Sequence, residues 1–512
     1  MKRTSVLKLA LFATGLSGIV AEYVLATLAS YFIGDSIVQW TLIISLMLFF
    51  MGLGARMSQN IQKREFEWFV ATEFTLSILV SFAAVSTYAL AGFYKHTGIF
   101  IYFLAVLIGF LIGLELPLAM RLNERFEELK INVSSILEKD YYGSLLGGVF
   151  FAFVGLPYLG LTYTPFILGT INLLAAIALI NFFPSISEKT QRWRLNIMAF
   201  SVLGIIGLGA VFANKIVLFG EQNRYKDKVI LSEQSRYQKI VMTEWKDDVW
   251  LYLNHQLQFC TYDEAMYHEV LVHPAMLFQK APTNILILGG GDGCAARELL
   301  KYPSVQKIDL VDLDPAVTNL AKEHPVLMEV NQNSLNNDKV HVLNQDGYIY
   351  VENTKEFYDV IIIDLPDPRS IELARLYSVE FYEMCKKLLR PNGVVITQAG
   401  SPYFATNSFN CIYKTMSATG LSTIRLHNQI ITMGEWGWVL GVKNEKTKEE
   451  LIAQLQNARL AVPTKWLNED GLKLITSFGK NFFTDDADSI KINKVHEPVV
   501  HRYFLKGSWD LY

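Results

Sequence analysis

The sequence predicts a multi-pass α-helical membrane domain, followed by a small β domain and then an α/β domain. Long apolar runs succeed one another up to about Phe219, after which the composition is that of an ordinary globular protein. Residues 220–276 contain short stretches in which apolar and polar side chains alternate, as they do in half-buried strands. From residue 284 onward, apolar runs, glycine turns and helical patterns alternate, which is typical of an α/β domain.

Length and composition indicate the domain organisation. The chain has 512 residues, too many for one hydrophobic core, and 51% of them are hydrophobic. We predict a transmembrane helical bundle over residues 1–219, a small β domain over 220–276 and the α/β domain over 277–512. The net charge of −3 leaves no basic excess for a nucleic-acid partner. Four cysteines without a CxxC pair argue against a zinc site and fit a reducing compartment.

The N-terminal part contains seven apolar runs, each about long enough to cross the ~30 Å hydrocarbon layer of a bilayer. Basic residues precede the first run and follow the second, fourth and sixth, so the positive-inside rule places the N-terminus in the cytoplasm. Seven complete spans would then leave the C-terminal part outside. The alternatives are that one run is re-entrant or that the number of spans differs by one, and the last run, the shortest and most glycine-rich, is the first candidate for either. The runs are 9–32, 37–55, 68–93, 99–120, 143–162, 165–183 and 197–213.

Three acidic residues lie within these runs: Glu22 in the first, Glu73 in the third and Glu115 in the fourth. A carboxylate in hydrocarbon is costly, and it usually marks a cation path, a proton path or a pairing of helices. The alternatives are a hydrogen bond inside the bundle or a position near the membrane surface. A cationic substrate would give these acids a function.

Three alternating stretches, residues 229–233, 239–243 and 249–253, form the predicted small β domain. A polar segment that includes Gln234 lies between the first two. After the third, Asp263 is expected to open a helix that carries Tyr267 and His268.

The glycine turn at residues 289–293 is the most informative stretch of the chain. An apolar run precedes it, a helical pattern follows it, and a second apolar run ends at Asp312. Strand, glycine turn, helix and strand with a terminal acid form the nucleoside-binding half of a Rossmann-like domain, here of the methyltransferase type. Gly289 and Gly291 would let the backbone approach a ligand closely, and Asp312 could bind both ribose hydroxyls.

Polar groups end every predicted strand of this domain. Further strands are expected at 340–343, 359–363 and 394–397, with a helix near 378–389 and a turn at 391–393. Ligands bind at the carboxyl ends of the strands in such sheets. A ring of carboxylates would repel pyrophosphate, so we expect a cationic sulfonium nucleoside and not a dinucleotide. The residues at the strand ends are Asp292, Asp312, Asp346, Asp364, Asp367 and Gln398.

These motifs, in this order, resemble those of the spermidine synthases, or polyamine aminopropyltransferases. The resemblance runs from about Leu231 to Trp438, and the hydrophobic N-terminal half is similar to the membrane-fused bacterial branch of that family. It implies transfer of an aminopropyl group from decarboxylated S-adenosylmethionine, the co-substrate, to putrescine. The products would be spermidine and methylthioadenosine, and neither a metal nor a prosthetic group would be required, because the sulfonium supplies the leaving group.

The resemblance also implies a role for each matching residue. Gln234 and Asp312 would hold the nucleoside, although Asp312 stands where the family usually has glutamate. Asp346 and Gly347 would contact adenine, and Asp364 would be the general base. The residues that would bind amino groups are Tyr267, His268, Asp292 and Asp367.

The chain departs from the family pattern around the amine acceptor. Pro366 stands where a small hydroxyl residue is common, residues 369–375 lack the usual Gly-Pro, and Asn254-His255 replaces an Asp-Gly turn. These departures leave the donor site intact and leave the identity of the acceptor open.

Two other functions remain open from the sequence. One is an S-adenosylmethionine-dependent methyltransferase, against which Asp292 and Asp364 argue, because Asp292 would disfavour the carboxylate of the ordinary donor. The other is a non-catalytic polyamine-binding or transport protein. Soluble members of the family form oligomers, which implies a homo-oligomer by analogy. The donor is made in the cytosol, so we expect a multi-pass protein of the cell membrane whose catalytic domain faces the cytoplasm.

Overall fold

The computed structural model describes residues 3–34, 36–94, 96–124, 126–182, 189–480, 482 and 489–509. It divides into two compact units, Met1–Thr243 and Glu244–Tyr512. The division into three domains that the sequence suggests stays a prediction.

The first unit is mainly helical. Its α-helices are α1 (Arg3–Ile33), α2 (Ser36–Ser58), α3 (Glu65–Ala91), α4 (Thr97–Glu124), α5 (Leu129–Phe150), α6 (Gly160–Phe182) and α7 (Lys189–Gln222), and a π-helical stretch, Phe151–Leu159, joins α5 to α6. Among the described residues, six helical stretches are long and apolar enough to cross a membrane, judged by length and composition. The fifth, Leu129–Phe182, contains the fifth predicted run and the sixth except for its last residue, Phe183, which lies outside the described residues.

The chain reverses direction between α5 and α6. Ser144 of α5 donates a hydrogen bond to the carbonyl oxygen of Gly15 (3.2 Å), and Phe151 lies 5.7 Å from Tyr23, measured between ring centroids, so α5 runs parallel to α1. Asn172 of α6 is back beside Thr14, whose hydroxyl lies 3.3 Å from the amide oxygen of Asn172. The Leu129–Phe182 stretch is therefore an antiparallel pair of helices.

Helices α1 and α7 end on the same face of the bundle. The hydroxyl of Tyr31, near the end of α1, donates to Oε1 of Glu221 at the end of α7 (3.0 Å). The end of α7 thus lies at the opposite face from the start of α1.

The three acids of the apolar runs are buried in this bundle. Glu22, Glu73 and Glu115 are 8%, 0% and 1% exposed. Glu73 accepts a hydrogen bond from Thr14 (3.2 Å), and its carboxyl group lies within hydrogen-bond reach of that of Glu115. Oε2 of Glu73 and both carboxyl oxygens of Glu115 have no hydrogen-bond donor among the described residues. The interior of the bundle therefore holds more acceptors than donors at this point.

The boundary between the two units falls in a run of four strands: β1 (Lys228–Gln234), β2 (Lys239–Trp245), β3 (Asp248–Leu253) and β4 (Gln256–Cys260). Strands at the positions of β1, β2 and β3 were expected from the alternation, whereas β4 was not. Asn254 and His255 form the two-residue turn before it, and both have positive φ angles, of 49° and 66°. Such turns usually contain glycine, so the sequence carries no strong hairpin signal here.

The second unit is built on a seven-stranded sheet. Its strands are β5 (Asn284–Gly289), β6 (Lys307–Asp312), β7 (Val340–Asn344), β8 (Tyr358–Asp364), β9 (Leu389–Gln398), β10 (Ser422–Ile430) and β11 (Gly434–Val442). Their order is β10-β11-β9-β8-β5-β6-β7, with β5 to β9 parallel and β10 and β11 antiparallel. This arrangement confirms the predicted Rossmann-like domain.

Helices cover both faces of this sheet, as parallel sheets require. They are α8 (Glu264–Met276), α9 (Cys294–Leu300), α10 (Pro315–Glu323), α11 (Pro325–Val330), α12 (Gly347–Asn353), α13 (Ile371–Ala374), α14 (Val379–Leu388), α15 (Thr406–Ser417), α16 (Lys448–Gln456), α17 (Glu469–Ile475) and α18 (Val500–Leu505). The predicted helix near 378–389 corresponds to α14, whose first turn is capped by the hydroxyl of Ser378.

The chain bends at the predicted turn, 391–393, where Asn392 has a φ of 60° and the pairing with β8 shifts register. Strand β9, however, begins before the turn, at Leu389, and not after it as predicted. All four cysteines, Cys260, Cys294, Cys385 and Cys411, are free and buried. Burial raises the pKa of the Cys411 thiol to about 12.

Candidate active site

The ends of β5 and β8 meet at the glycine turn. Gly289 pairs with Asp364 in the parallel ladder and has a φ of 85°. A Cβ at Gly289 would lie 1.9 Å from the carbonyl oxygen of Asp364, and the next residue, Gly290, donates its N–H to that same oxygen (3.3 Å). Only glycine fits this conformation and this close approach, so the turn fixes the backbone that carries Asp364.

Asp364 is a buried carboxyl group held by one hydroxyl. The phenol of Tyr267, on α8, donates to Oδ1 of Asp364 (2.7 Å). Burial and the nearby charge of Asp292 raise the pKa of Asp364 to about 6, while His268 and the Tyr267 hydrogen bond oppose the rise. The carboxyl group is therefore ionised at neutral pH and poorly solvated, as a proton acceptor should be.

His268 lies between two acids. Its Nδ1 is 3.0 Å from Oε2 of Glu264, and its Nε2 is 3.8 Å from Oδ1 of Asp292. Burial lowers the pKa of His268, but the hydrogen bond with Glu264 and the charges of Asp292 and Glu264 outweigh it and raise the pKa to about 9. A doubly protonated imidazole has no lone pair to offer an ammonium group. This state favours a role in which His268 positions Asp292.

Glu264 and Arg297 support His268 from behind, and the sequence indicated no role for either of them. Two nitrogens of Arg297, on α9, donate to the two carboxylate oxygens of Glu264 at 2.9 and 2.8 Å. The side chains are 2% and 1% exposed. Burial raises the pKa of Glu264, yet the hydrogen bonds with His268 and Arg297 bring it down to about 2. A helical arginine is normally solvent-exposed, so only the folded structure shows that Arg297 belongs to the site.

Asp312 and Asp292 flank the glycine turn. The N–H of Gly291 donates to Oδ2 of Asp312 (3.1 Å), and a Cβ at Gly291 would lie 2.7 Å from that oxygen. Burial above all raises the pKa of Asp312 to about 6. Oδ1 of Asp292 accepts the N–H of Cys294 (2.7 Å), which closes the turn at the start of α9.

Asp346 and Gly347 lie at the end of β7. Oδ1 of Asp346 accepts the N–H of Tyr348 (2.8 Å) and caps α12, and Oδ2 forms an ion pair with Arg375. A Cβ at Gly347 would lie 3.6 Å from the side chain of Leu288 on β5, so the start of α12 lies close to the end of β5.

Asp367 and Gln398 form a network beyond β8 and β9. Nε2 of Gln398 donates to the hydroxyl of Tyr377 (2.6 Å) and lies 3.4 Å from Oδ1 of Asp367. Burial raises the pKa of Asp367, and the charge of Arg369 opposes this. Tyr377, which is fully buried and donates to the carbonyl oxygen of Pro366 (3.0 Å), was not identified from the sequence.

The predicted site residues divide between the two units. Gln234, at the end of β1, belongs to the first unit, and its side-chain amide donates to the carbonyl oxygen of Ser235 (3.1 Å). The other predicted residues lie in the second unit, on α8 and at the carboxyl edge of its sheet: Tyr267, His268, Gly289, Gly291, Asp292, Asp312, Asp346, Gly347, Asp364 and Asp367.

Three groups of side chains in the described ranges have ligand atoms within 4.8 Å of one another and so have the spacing of a metal site: Glu264–His268–Cys294, His268–Asp292–Asp364 and Glu269–His273–Glu298. A metal ligand must be unprotonated, which disfavours the first two, because both need His268. In the third, Glu269 accepts backbone N–H groups at 2.6, 3.0 and 2.7 Å from residues 465–467. We therefore assign no metal to these groups.

Comparison with known proteins matches both parts of the chain. Residues 264–453 match the Spermine/spermidine synthase domain. The chain is 40% identical over 507 residues to polyamine aminopropyltransferase 2 of Aquifex aeolicus, with 99% of each chain covered. It is 37% identical to the polyamine aminopropyltransferase of Oceanobacillus iheyensis, with 97% of this chain and 96% of that one covered. The crystal structure of spermidine synthase from Thermotoga maritima matches at 28% identity and a TM-score of 0.46, over 51% of this chain and 88% of that one.

Proposed function

Because this chain belongs to the spermidine synthase family of polyamine aminopropyltransferases, we propose that it transfers an aminopropyl group from decarboxylated S-adenosylmethionine to putrescine. The products are spermidine and methylthioadenosine. The observation that carries the proposal is Asp364, a buried carboxylate with a pKa of about 6 that lies among other acids and is oriented by Tyr267.

Asp364 serves as the general base. An ammonium group has no lone pair, so the acceptor amine must lose a proton before its nitrogen can attack carbon. In the proposed step Asp364 takes that proton, the new C–N bond forms, and the C–S bond breaks with its electron pair moving to sulfur. Alignment of nitrogen, carbon and sulfur supplies much of the rate, because the sulfonium is already a good leaving group.

The donor is held along the edge formed by β5, β6 and β7. Asp312 binds the ribose hydroxyls, while Gly289 and Gly291 allow the backbone to approach the nucleoside. A role of Gln234 in holding the nucleoside stays a prediction. Asp346, fixed by Arg375 and by the start of α12, contacts adenine together with Gly347.

Amino groups are bound by Asp292, Asp367 and Tyr267, with His268 acting through Asp292. The charge of Asp292 near the donor's tail favours the decarboxylated donor, because ordinary S-adenosylmethionine carries a carboxylate there. This discrimination separates aminopropyl transfer from methyl transfer.

The helical unit is proposed to anchor the enzyme in the cell membrane as a multi-pass bundle, with the catalytic unit in the cytoplasm, where the donor is made. The six apolar helical stretches support this placement. Assembly into a homo-oligomer stays a prediction.

Product analysis of the purified full chain tests the reaction. We expect spermidine and methylthioadenosine from decarboxylated S-adenosylmethionine and putrescine, chosen from a panel of diamines. Asp364→Asn should lower kcat by about 10²-fold or more, because it removes the base while keeping the shape. Asp338→Asn, at an exposed position of the same unit, should match the parent. Nucleoside binding without transfer to any amine would exclude the catalytic assignment, and methyl transfer from ordinary S-adenosylmethionine would favour a methyltransferase.

A further inference from the structure

Arg369 lies against Asp367, one of the acids that are proposed to bind amino groups. The side chain of Asp367 is 11% exposed, and its Oδ2 lies 3.5 Å from a guanidinium nitrogen of Arg369. The backbone N–H of Arg369 also donates to the carbonyl oxygen of Asp367 (2.7 Å). The two residues therefore form one tight turn, in which an arginine charge already faces the carboxylate.

Aromatic rings hold this guanidinium in place. It lies over the ring of Phe504 at 5.1 Å and over that of Trp509 at 6.0 Å. Nε of Arg369 is buried and has no acceptor among the described residues. The Arg369 side chain is 39% exposed, and its described partners are one long contact with Asp367 and two ring faces, so the guanidinium can exchange these contacts for water.

The rings belong to a C-terminal segment, residues 489–509, that is fastened to the loop carrying Arg369. The buried side chain of Asn493 donates to the carbonyl oxygens of Ala374 (2.8 Å) and Tyr377 (3.0 Å). A Cβ at Gly400 would lie 3.6 Å from both Oδ1 of Asp367 and a ring carbon of Phe504. The segment therefore forms a wall directly beside Asp367, and it lies outside residues 264–453, which match the family domain.

This arrangement sets a limit on the amine that can bind. An arginine stays protonated at all accessible pH values, so an ammonium group that reaches Asp367 must compete with the guanidinium. An amine that extends past Asp367 would place its next charge against Arg369 and the aromatic wall. A short diamine must only compete with the guanidinium for Asp367. A longer triamine must do this as well and also place a further ammonium group against the charge of Arg369.

Taking the proposed function as its basis, we propose that Arg369 is a specificity-determining residue that closes the far end of the acceptor subsite. The acceptors it admits are short α,ω-diamines, whose distal ammonium displaces the guanidinium from Asp367. Longer polyamines, with a further ammonium beyond that point, are excluded by its charge.

The test compares the full chain with Arg369→Gln, which removes the charge, and Arg369→Lys, which keeps it. Steady-state kinetics are measured with putrescine and with spermidine as acceptor, and putrescine binding is measured by calorimetry. We expect Arg369→Gln to lower the KM for putrescine and to raise kcat/KM for spermidine, each by about fivefold to tenfold. The kcat for putrescine and the KM for the donor should stay as in the parent. Arg369→Lys should resemble the parent, as should Arg502→Gln on the exposed side of α18.

Transfer that persists in Arg369→Gln with an unchanged or higher KM for putrescine would overturn the inference. If the parent transfers to no amine, the proposed function fails, and calorimetry then decides the inference: tighter putrescine binding in Arg369→Gln supports it, and equal or weaker binding overturns it. Should Arg369→Gln melt far below the parent, Trp509→Ala replaces it. Loss of the ring beneath Arg369 should also lower the KM for putrescine, because the guanidinium is then held less firmly at Asp367. An unchanged KM in Trp509→Ala would again overturn the inference.

Discussion

Single residues at the end of β8 determine what the site can do. Asp364 has a raised pKa because it is buried beside Asp292, and it stays ionised at neutral pH because Tyr267 and His268 oppose that rise. The pKa of Asp364 thus depends on Asp292, Tyr267 and His268. A substitution of any of these three should shift the pH at which the proposed base becomes ionised.

Tyr267→Phe should move the acid limb of the pH profile. The proposed general base, Asp364, must be ionised to accept a proton, so we expect kcat/KM of the parent to fall as the pH drops through about 6. The hydroxyl of Tyr267 stabilises the carboxylate, and its loss raises the pKa, so the limb should shift to higher pH by about 0.5–1 unit. The measurement is kcat/KM against pH, with Tyr262→Phe, at an exposed tyrosine, as control. A shift to lower pH, or none, would contradict the proposed role of Asp364 as the general base.

At the scale of single residues, the sequence identifies the acidic residues of the site better than its basic residues. The acids were identifiable because each follows an apolar strand, and strand ends meet at one edge of a parallel sheet. Arg297 was not, because a buried cation can be recognised only from the partner that neutralises it. For Arg297 that partner is Glu264, far along the chain and on another helix. Arg369 was not either, because its aromatic neighbours lie far along the chain and meet it only in the folded structure.

Helices α8 and α9 are joined by the buried chain Arg297, Glu264, His268 and Asp292, which ties the glycine turn to the helix that carries Tyr267. The folded structure raises the pKa of His268 and lowers that of Glu264. Protonated His268 therefore contributes stability that is complete below pH 6.5, its ordinary pKa, and is lost as the pH rises through about 9. Ionised Glu264 contributes stability that is complete above pH 4.5 and is lost as the pH falls through about 2.

The melting temperature of the parent should therefore decline between pH 6.5 and 9 by more than that of His268→Gln. His341→Gln, at an exposed position on β7, is the matched control and should decline as the parent does. Equal slopes for the parent and His268→Gln would show that His268 is neutral in the folded protein.

In the bundle, Glu115→Gln tests the excess of buried hydrogen-bond acceptors over donors between α3 and α4. The substitution replaces a carboxyl oxygen by an N–H donor beside the carboxyl group of Glu73, whose Oε2 has no donor among the described residues. We expect the unfolding free energy of the helical unit to rise by about 1 kcal/mol, seen as a higher melting temperature in detergent. Glu138→Gln, on the exposed face of α5, should have no effect. A lower melting temperature would mean that the Glu115 carboxyl makes a bond that glutamine cannot replace.

Elements with a strong local pattern were predictable, and those set by turns or by packing were not. Strands β5 to β8 were found from their apolar runs, whereas β4 was missed because Asn254-His255 forms its turn without glycine. Helix α18 and the C-terminal wall carry no motif, so their position beside Asp367 follows only from tertiary contacts such as those of Asn493.

At the scale of the whole molecule, the direction of α7 decides from which face of the bundle the chain leaves the membrane. The ends of α1 and α7 meet through Tyr31 and Glu221, so the N-terminus and the end of α7 lie at opposite faces of the bundle. With the catalytic unit in the cytoplasm, the N-terminus should be outside.

Reporter fusions at the two ends of the chain measure on which side of the membrane each end lies. We expect a C-terminal fusion to fold and signal in the cytoplasm, and an N-terminal tag to be reached by a protease added outside the cell. The basic loops favour the reverse orientation, so an external C-terminus would show that loop charge, and not the cytosolic supply of donor, sets the topology. Both ends on one face would contradict the helix directions.

The burial of all four cysteines has a practical consequence for such mapping. A thiol that is both inaccessible and almost fully protonated at neutral pH does not react with water-soluble maleimides. The Cys411 thiol, buried and with a pKa of about 12, is of this kind. A single cysteine introduced into any connecting loop should therefore be the only labelled position, without first removing the native ones. Its membrane topology can thus be mapped by site-directed cysteine labelling with the four native cysteines in place.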